Sequence, residues 1–248
     1  MTLERPSRRT ALTLLAVAGL SLVVNLVFGA FKIVRPDGGN GWQADGSVSL
    51  PTPREQSAVS VEEGIADRRS RRTYSDRALE RRELGQLLWA TQGVTDRARG
   101  FRAAPSAGAL YPLEMYVVVG SQGVEGLQSG VYRYRPGRHE LGRGRTGDVQ
   151  PELRAAAIDQ EAVEEAAVDI VLCAVDERTT GKYGERGRRR YVPMEAGHAG
   201  ENLYLQAESL GLATVSIGAF RDDRVRDILE APATQRPLYI FPIGGRAQ

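Results

Sequence analysis

Apolar residues fall along this chain in three patterns, and each pattern predicts a different kind of segment. From Ala11 to Phe31 they are almost unbroken, with Asn25 and a few hydroxyl residues between them. A run of roughly 20 such residues is the length that crosses a bilayer as a helix. From Pro36 to about Ser60 the text turns to Gly, Pro, Asp and Ser, as in Asp37-Gly-Gly-Asn-Gly41 and Pro51-Thr-Pro53, a composition that predicts a flexible tether. Beyond Val61 short apolar groups alternate with polar turns, the mark of a packed domain. The expected organisation is therefore an anchor or uncleaved export signal over 1–34, a linker over 35–60 and one folded unit over 61–248.

Within that unit Leu84, Leu87, Leu88 and Thr91 recur at helical spacing ahead of Gly93, which predicts an amphipathic helix from Arg81 to Gln92 with a glycine stop. Met115 to Val119 reads as a buried strand. Val131 to Tyr134 and Glu140-Leu141 read as a hairpin whose turn carries His139 into solvent. Pro151 to Ala167 should be helical, Asp169 to Val175 a strand, and the Arg-rich stretch 177 to 190 a polar loop. Ala199, Leu203, Ala207 and Leu210 form a second helical stripe ended by Gly211. A strand from Ala213 to Ile217, a short helix capped by Asp222 and a last strand from Leu238 to Phe241 follow. Helices and strands mix without regular βαβ alternation, which predicts an α+β fold.

Composition narrows the chemistry. A formal charge of +2 over 248 residues is small for a nucleic-acid binder that works through phosphates. One cysteine, Cys173, rules out an intrachain disulfide, and with His139 and His198 as the only histidines a structural zinc site lacks soft ligands. Cys173 stands in an apolar strand-like run and reads as core.

Arg5, Arg8 and Arg9 precede the apolar run, and Ser7-Arg8-Arg9-Thr10-Ala11-Leu12 is similar to a twin-arginine export signal. Val27-Phe28-Gly29-Ala30 lacks the small residues that a cleavage site needs. The expectation is a retained single helix through residues 11–31 with the folded domain outside the membrane. Gly142-Arg-Gly-Arg-Thr-Gly147 matches a dinucleotide fingerprint by letter, yet no buried strand and helix flank it; it reads as a surface turn.

Four segments stand in order: Arg68-Arg-Ser-Arg-Arg-Thr-Tyr74; Ala104-Pro-Ser-Ala-Gly-Ala-Leu-Tyr-Pro-Leu-Glu114; Lys182-Tyr-Gly-Glu-Arg186 running into Tyr191 and Glu195-Ala-Gly-His-Ala-Gly200; and Ser216-Ile-Gly-Ala-Phe220. Together they resemble the nitroreductase superfamily, and within it the SagB-type azoline dehydrogenases. The resemblance implies a mixed central sheet surrounded by helices, FMN as cofactor and a homodimer with the flavin near the subunit interface. By this resemblance Arg68, Arg69, Ser70 and Arg72 meet the phosphate and ribityl chain, for which guanidinium groups and a hydroxyl are apt donors. Pro105, Ser106, Ala107 and Gly108 form a small, stiff loop that lets backbone approach the flat flavin ring. Gly218 matches the place where backbone nears the flavin N5, and Arg246 offers a further cation.

Lys182 and Tyr183 correspond to the catalytic Lys-Tyr pair of the azoline dehydrogenases. A base removes a carbon-bound proton as hydride leaves for the flavin, and a lysine can serve when burial or neighbouring cations lower its pKa; Arg186, Arg188, Arg189 and Arg190 stand near in sequence. His198 reads as structural. The substrate expected is a small-molecule or peptide heterocycle. An NAD(P)H-dependent nitro or quinone reductase, and a non-catalytic tethered flavin binder, remain open alternatives at this level.

Overall fold

β-branched and aromatic residues crowd together at Leu113–Val119, Val168–Val175 and Gln235–Arg246, and these become the centre of one sheet. The computed structural model describes residues 46–247. In chain order the elements are β1 (Val48–Ser49), α1 (Val61–Asp67), β2 (Tyr74–Ser75), α2 (Arg81–Gln92), β3 (Val94–Asp96), β4 (Phe101–Arg102), β5 (Leu113–Val119), β6 (Gly130–Arg135), β7 (Glu140–Thr146), α3 (Gln150–Ala156), α4 (Glu161–Glu164), β8 (Val168–Val175), α5 (Glu177–Tyr183), α6 (Val192–Ser209), β9 (Leu212–Thr214), α7 (Asp222–Ile228) and β10 (Gln235–Arg246). The main sheet runs β1-β7-β6-β5-β8-β10-β2, with β9 also on β10. Its strand pairings are antiparallel, and one isolated bridge, Leu79 with Val124, is parallel.

Both faces of this sheet are covered, as the period of two along a strand requires. From β5, Leu113, Met115, Val117 and Val119 point into one apolar cluster with Leu84, Leu87 and Leu88 of α2 and Ala199, Leu203 and Ala207 of α6. Tyr116 and Val118 point the other way, into a cluster with Leu153 of α3, Val163 of α4 and Val225 and Ile228 of α7. Each fully buried Leu or Val contributes roughly 1.5–3 kcal/mol of hydrophobic stabilisation. The arrangement is the α+β fold that the mixture of elements predicts, and Cys173 is fully buried within it.

Several expectations change. Residues 48–60, read as tether, carry β1, which pairs with β7, and Leu50 enters the core. His139 is held rather than solvated: its Nε2 donates to the Pro51 carbonyl at 3.0 Å and its Nδ1 meets the Tyr134 hydroxyl at 2.8 Å. The glycine-rich letters 142–147 fall in β7 and its end, paired with β6, and form neither a phosphate loop nor a turn. Gly93 does follow α2, but in extended backbone at φ −64°; a glycine is needed there because a Cβ would come 2.4 Å from the Trp89 ring. Asp222 is the first residue of α7, and its side chain does not cap it. The stretch 177–190 is helical, as described below.

The expected anchor over 11–31 lies outside the described residues. Among those described, no helix is long and apolar enough to cross a membrane, and the expectation of a membrane-anchored protein with an external domain is corrected accordingly.

Candidate active site

The stretch read as an Arg-rich loop folds because Glu177 to Tyr183 makes a first helix, α5, which Gly184 ends. A π-helical turn, Gly187–Tyr191, then leads directly into α6, with Pro193 in its first turn. π-turns of this kind recur at functional sites. Gly187 sits against the Thr179 backbone, so the turn folds back on α5. This places the Tyr183 and Tyr191 rings edge to face with centroids 5.0 Å apart, and Arg186 donates from Nε to the Tyr191 hydroxyl at 3.1 Å.

α5 is fastened to the sheet by charge. Arg178 bonds Glu114 of β5 and the Tyr111 carbonyl, the latter at 3.0 Å, while Arg133 of β6 donates to the same carboxylate at 2.8 and 3.0 Å. All three side chains are largely buried. One helical turn beyond Arg178 stand Lys182 and Tyr183, and Lys182 Nζ lies 5.4 Å from the Tyr183 ring centre.

The loop ahead of β5 closes onto this pair. Gly108 has φ +64°, and a Cβ there would lie 2.8 Å from the Tyr183 hydroxyl and 3.0 Å from Lys182 Nζ. Only glycine meets both demands at low cost. α6 grips the same loop from below. His198 Nδ1 lies 3.4 Å from the Pro105 carbonyl, and the buried Glu195 accepts from Gln92 Nε2 at 3.3 Å. Burial pushes the Glu195 carboxyl up to about 7, against the opposing pull of Ser106, Gln92, Arg102 and Arg178.

A second cluster gathers at the other end of α6. Backbone pairing of Arg71 N–H with the Thr214 carbonyl, 2.9 Å, draws the basic segment alongside β9. Ser70 then reaches the Tyr204 hydroxyl at 3.1 Å, which accepts the Ser216 N–H at 2.7 Å, and Arg68 lies over the Tyr204 ring at 5.1 Å. Arg246 joins through Glu208, which it shares with Arg71. Gly218 is exposed just past the Ile217–Ile240 bridge, and the Tyr239 ring lies 3.9 Å from the place of a Cβ. His198 and Tyr204 are six residues apart on α6, about 9 Å along its axis.

The fold therefore brings Gly108, at the end of the Pro105–Gly108 loop, onto Lys182 and Tyr183. It brings Arg68, Ser70 and Arg246 together around Tyr204 and Glu208. Arg72 is exposed and makes no ion pair among the described residues. Arg69 turns its guanidinium onto the Ala66 and Arg68 carbonyls at the end of α1. The arginines after Lys182 are engaged elsewhere, Arg188 with Asp176 and Arg189 with Glu185, and one chain alone leaves Lys182 exposed. Glu195, Tyr204, Glu208 and the Glu114–Arg178 pair escaped the sequence reading. Glu195 stands inside the quoted segment ending at Gly200, and a carboxylate on the buried face of a predicted helix was the signal for it. A cavity of about 600 Å³ between residues 54–64, α2 and α6 is separate: none of the candidate residues lines it.

The family model described as Nitroreductase family matches residues 65–245. MJ1384 of Methanocaldococcus jannaschii, named a nitroreductase, is 44% identical over 201 residues, covering 81% of this chain and 97% of that protein. The microcin B17-processing protein McbC of Escherichia coli is 32% identical over 147 residues, 58% of this chain and 54% of McbC. The chain thus spans about half of McbC. A crystal structure of a nitroreductase from Ralstonia eutropha superimposes with a TM-score of 0.72 at 26% identity, covering 86% of this chain and 94% of the other.

Proposed function

The chain belongs to the nitroreductase family and is an oxidoreductase, and from that premise we propose that it is an FMN-dependent dehydrogenase of azoline-type heterocycles, acting as a homodimer. The observation that carries this reading is the closure of the Pro105–Gly108 loop on Lys182 and Tyr183. It joins the small, backbone-rich surface suited to a flat ring with a side-chain amine and a phenol in one place. The likeness to a microcin-processing protein supports a heterocycle carried in a peptide as substrate.

The residues present fit FMN in their charge: Arg68 and Arg72 are cations with no ion pair among the described residues, ready for a phosphate dianion. Arg68, Ser70 and Arg72 would hold the phosphate and ribityl chain, with Arg246 beside them and Arg69 securing the segment. Pro105, Ser106, Ala107 and Gly108 would face the ring, with the Gly218 backbone as donor. When bound, FMN supplies an acceptor for a hydride equivalent.

On this reading Lys182, as the free amine, takes the carbon-bound proton, and the Tyr183 hydroxyl orients the heterocycle. Tyr191 and Arg186 hold Tyr183 in place. A second subunit over Lys182 would exclude water and supply the burial that one chain lacks. A second reading, an NAD(P)H-dependent nitro or quinone reductase, is favoured by the 44% identity to a protein named a nitroreductase.

The test is the visible spectrum of the purified full chain after incubation with FMN, then anaerobic addition of NADH and NADPH. Retained flavin that neither nucleotide bleaches, and that a thiazoline-containing peptide does bleach, is the expected result. Bleaching by a nucleotide selects the reductase reading. A chain that retains no flavin overturns both. Arg72→Ala should weaken FMN binding about tenfold or more, the size of a charge-assisted contact.

A further inference from the structure

We propose that Tyr111 is a positioning residue of this site: clamped on four sides, it fixes the Pro105–Gly108 loop at one separation from the helix that carries Lys182 and Tyr183. The link to turnover rests on the reading above; the hold on the loop does not.

Tyr111 adopts φ +46°, a left-handed backbone that a bulky side chain takes up rarely. Pro112 follows it, and a proline drives the residue before it toward extended backbone at negative φ. Both local preferences oppose the observed conformation, so contacts from elsewhere impose it, as at functional sites that store strain. The Tyr111 N–H donates to the Ser106 hydroxyl at 2.9 Å, and the Tyr111 carbonyl accepts Arg178 Nη1 at 3.0 Å. Its phenol oxygen accepts the Arg102 N–H at 3.2 Å, and the Arg102 guanidinium lies 4.7 Å from its ring centre. Each clamp is anchored in turn. Arg102, on β4, also donates from Nη1 to Gln92 of α2 at 3.4 Å, and Arg178, on α5, bonds Glu114 of β5.

α5 therefore touches this stretch of chain at two points. Arg178 meets the Tyr111 carbonyl, and one turn later Lys182 and Tyr183 stand against Gly108. Gly108 precedes Tyr111 by three residues, and Gly108 and Ala109 are left-handed as well, at φ +64° and +53°, so the span between the two points is short and sharply curved. The Ser106 contact closes the loop on itself. With the ring of Tyr111 removed, Glu114 still holds α5 through Arg178, but the loop is no longer fixed to β4 and Gly108 is free to drift from the pair. The side chain does this work and not the backbone alone: a glycine at position 111 would adopt φ +46° without strain, yet it would offer Arg102 neither ring nor hydroxyl.

The experiment is hydrogen–deuterium exchange of residues 104–111 in the full chain without added flavin, corrected for intrinsic exchange, beside kcat and KM for a thiazoline-containing peptide after FMN loading. Tyr111→Gly should raise exchange of the loop about tenfold, the size of one cation–π contact and one hydrogen bond lost together. It should lower kcat about tenfold or more, as a misplaced reacting group does, while KM and FMN retention hold. Tyr111→Phe, which keeps the ring under Arg102, should recover most of both losses. Arg102→Gln leaves the loop sequence intact and removes the cation over the ring; it should loosen the loop in the same direction, and it decides if Tyr111→Gly fails to fold. Unchanged exchange in either variant, or a kcat loss matched by an equal loss of folded protein or of FMN, overturns the proposal. A wild type that turns over no heterocycle overturns the reading above instead, and exchange then decides the hold on the loop by itself.

Discussion

A side-chain carbon on Gly108 would stand 2.8 Å from the Tyr183 hydroxyl, so the candidate flavin loop and the end of α5 meet with no room to spare. The two are 75 residues apart in sequence, and the same carbon would stand 3.0 Å from Lys182 Nζ. Gly108→Ala should therefore displace the pair and strain the backbone at φ +64°, at a cost of roughly 1–2 kcal/mol in stability. Turnover should fall by more than that stability loss explains. Thermal unfolding beside steady-state turnover separates the two, and wild-type turnover in this variant would show that the contact is idle.

Lys182→Ala should keep the flavin spectrum and lower turnover about 10²–10⁴-fold, the typical contribution of a general base. Flavin loss with unchanged folding would move Lys182 from proton transfer to cofactor binding.

Glu114→Ala removes the shared partner of Arg133 and Arg178. It leaves two largely buried guanidinium groups uncompensated, a change that costs about 3–5 kcal/mol. Urea unfolding reads that cost directly. Because Arg178 fastens α5, whatever folded protein remains should lose turnover more than it loses FMN.

His139 gives one limb of the pH dependence of stability. Burial lowers its pKa, and the Pro51 carbonyl only partly offsets this. Below the ordinary histidine value the unfolded chain takes up a proton that the folded chain resists, so stability rises with pH through that window and is lost as pH falls. His139→Ala should flatten this acid limb in unfolding free energies measured from pH 5 to 8, and it should loosen the residues around Leu50.

Glu195 gives the opposite limb. Its folded pKa of about 7 lies above the ordinary 4.5, so the folded state holds a proton that the unfolded state has lost. Stability is then full below the ordinary value and declines as pH rises toward 7, by up to roughly 3 kcal/mol at 1.36 kcal/mol per unit. Glu195→Gln should be the more stable form at pH 8. Equal curves for the two proteins would remove this assignment.

Much of the fold was legible because its elements carry their own periodicity. The Leu84, Leu87 and Leu88 stripe is α2 to the residue, the strands at 115 and 169 stand as read, and so does the hairpin around 135–139 except that its His139 is held rather than solvated. The α5 and π-turn region was not legible. Six arginines, lysines and glutamates between 182 and 190 look like a solvated loop; what makes the segment helical is Arg178 bonding Glu114 and Gly187 packing on Thr179, contacts with residues outside its own pattern. The role of residues 48–60 was hidden for a similar reason, since β1 is two residues long and gains its partners only from β7.

The sequence by itself determined the family, the α+β class and the identity of the residues with chemistry to offer, because order, spacing and residue type are properties of the chain. Tertiary structure alone decided which of them meet: Gly108 with Tyr183, Gln92 with Glu195, and Arg71 with Arg246 through Glu208. Those encounters join residues far apart in the chain and depend on how the helices pack on the sheet, and so does the charge on Glu195, which is set by the burial and the neighbours that this packing creates.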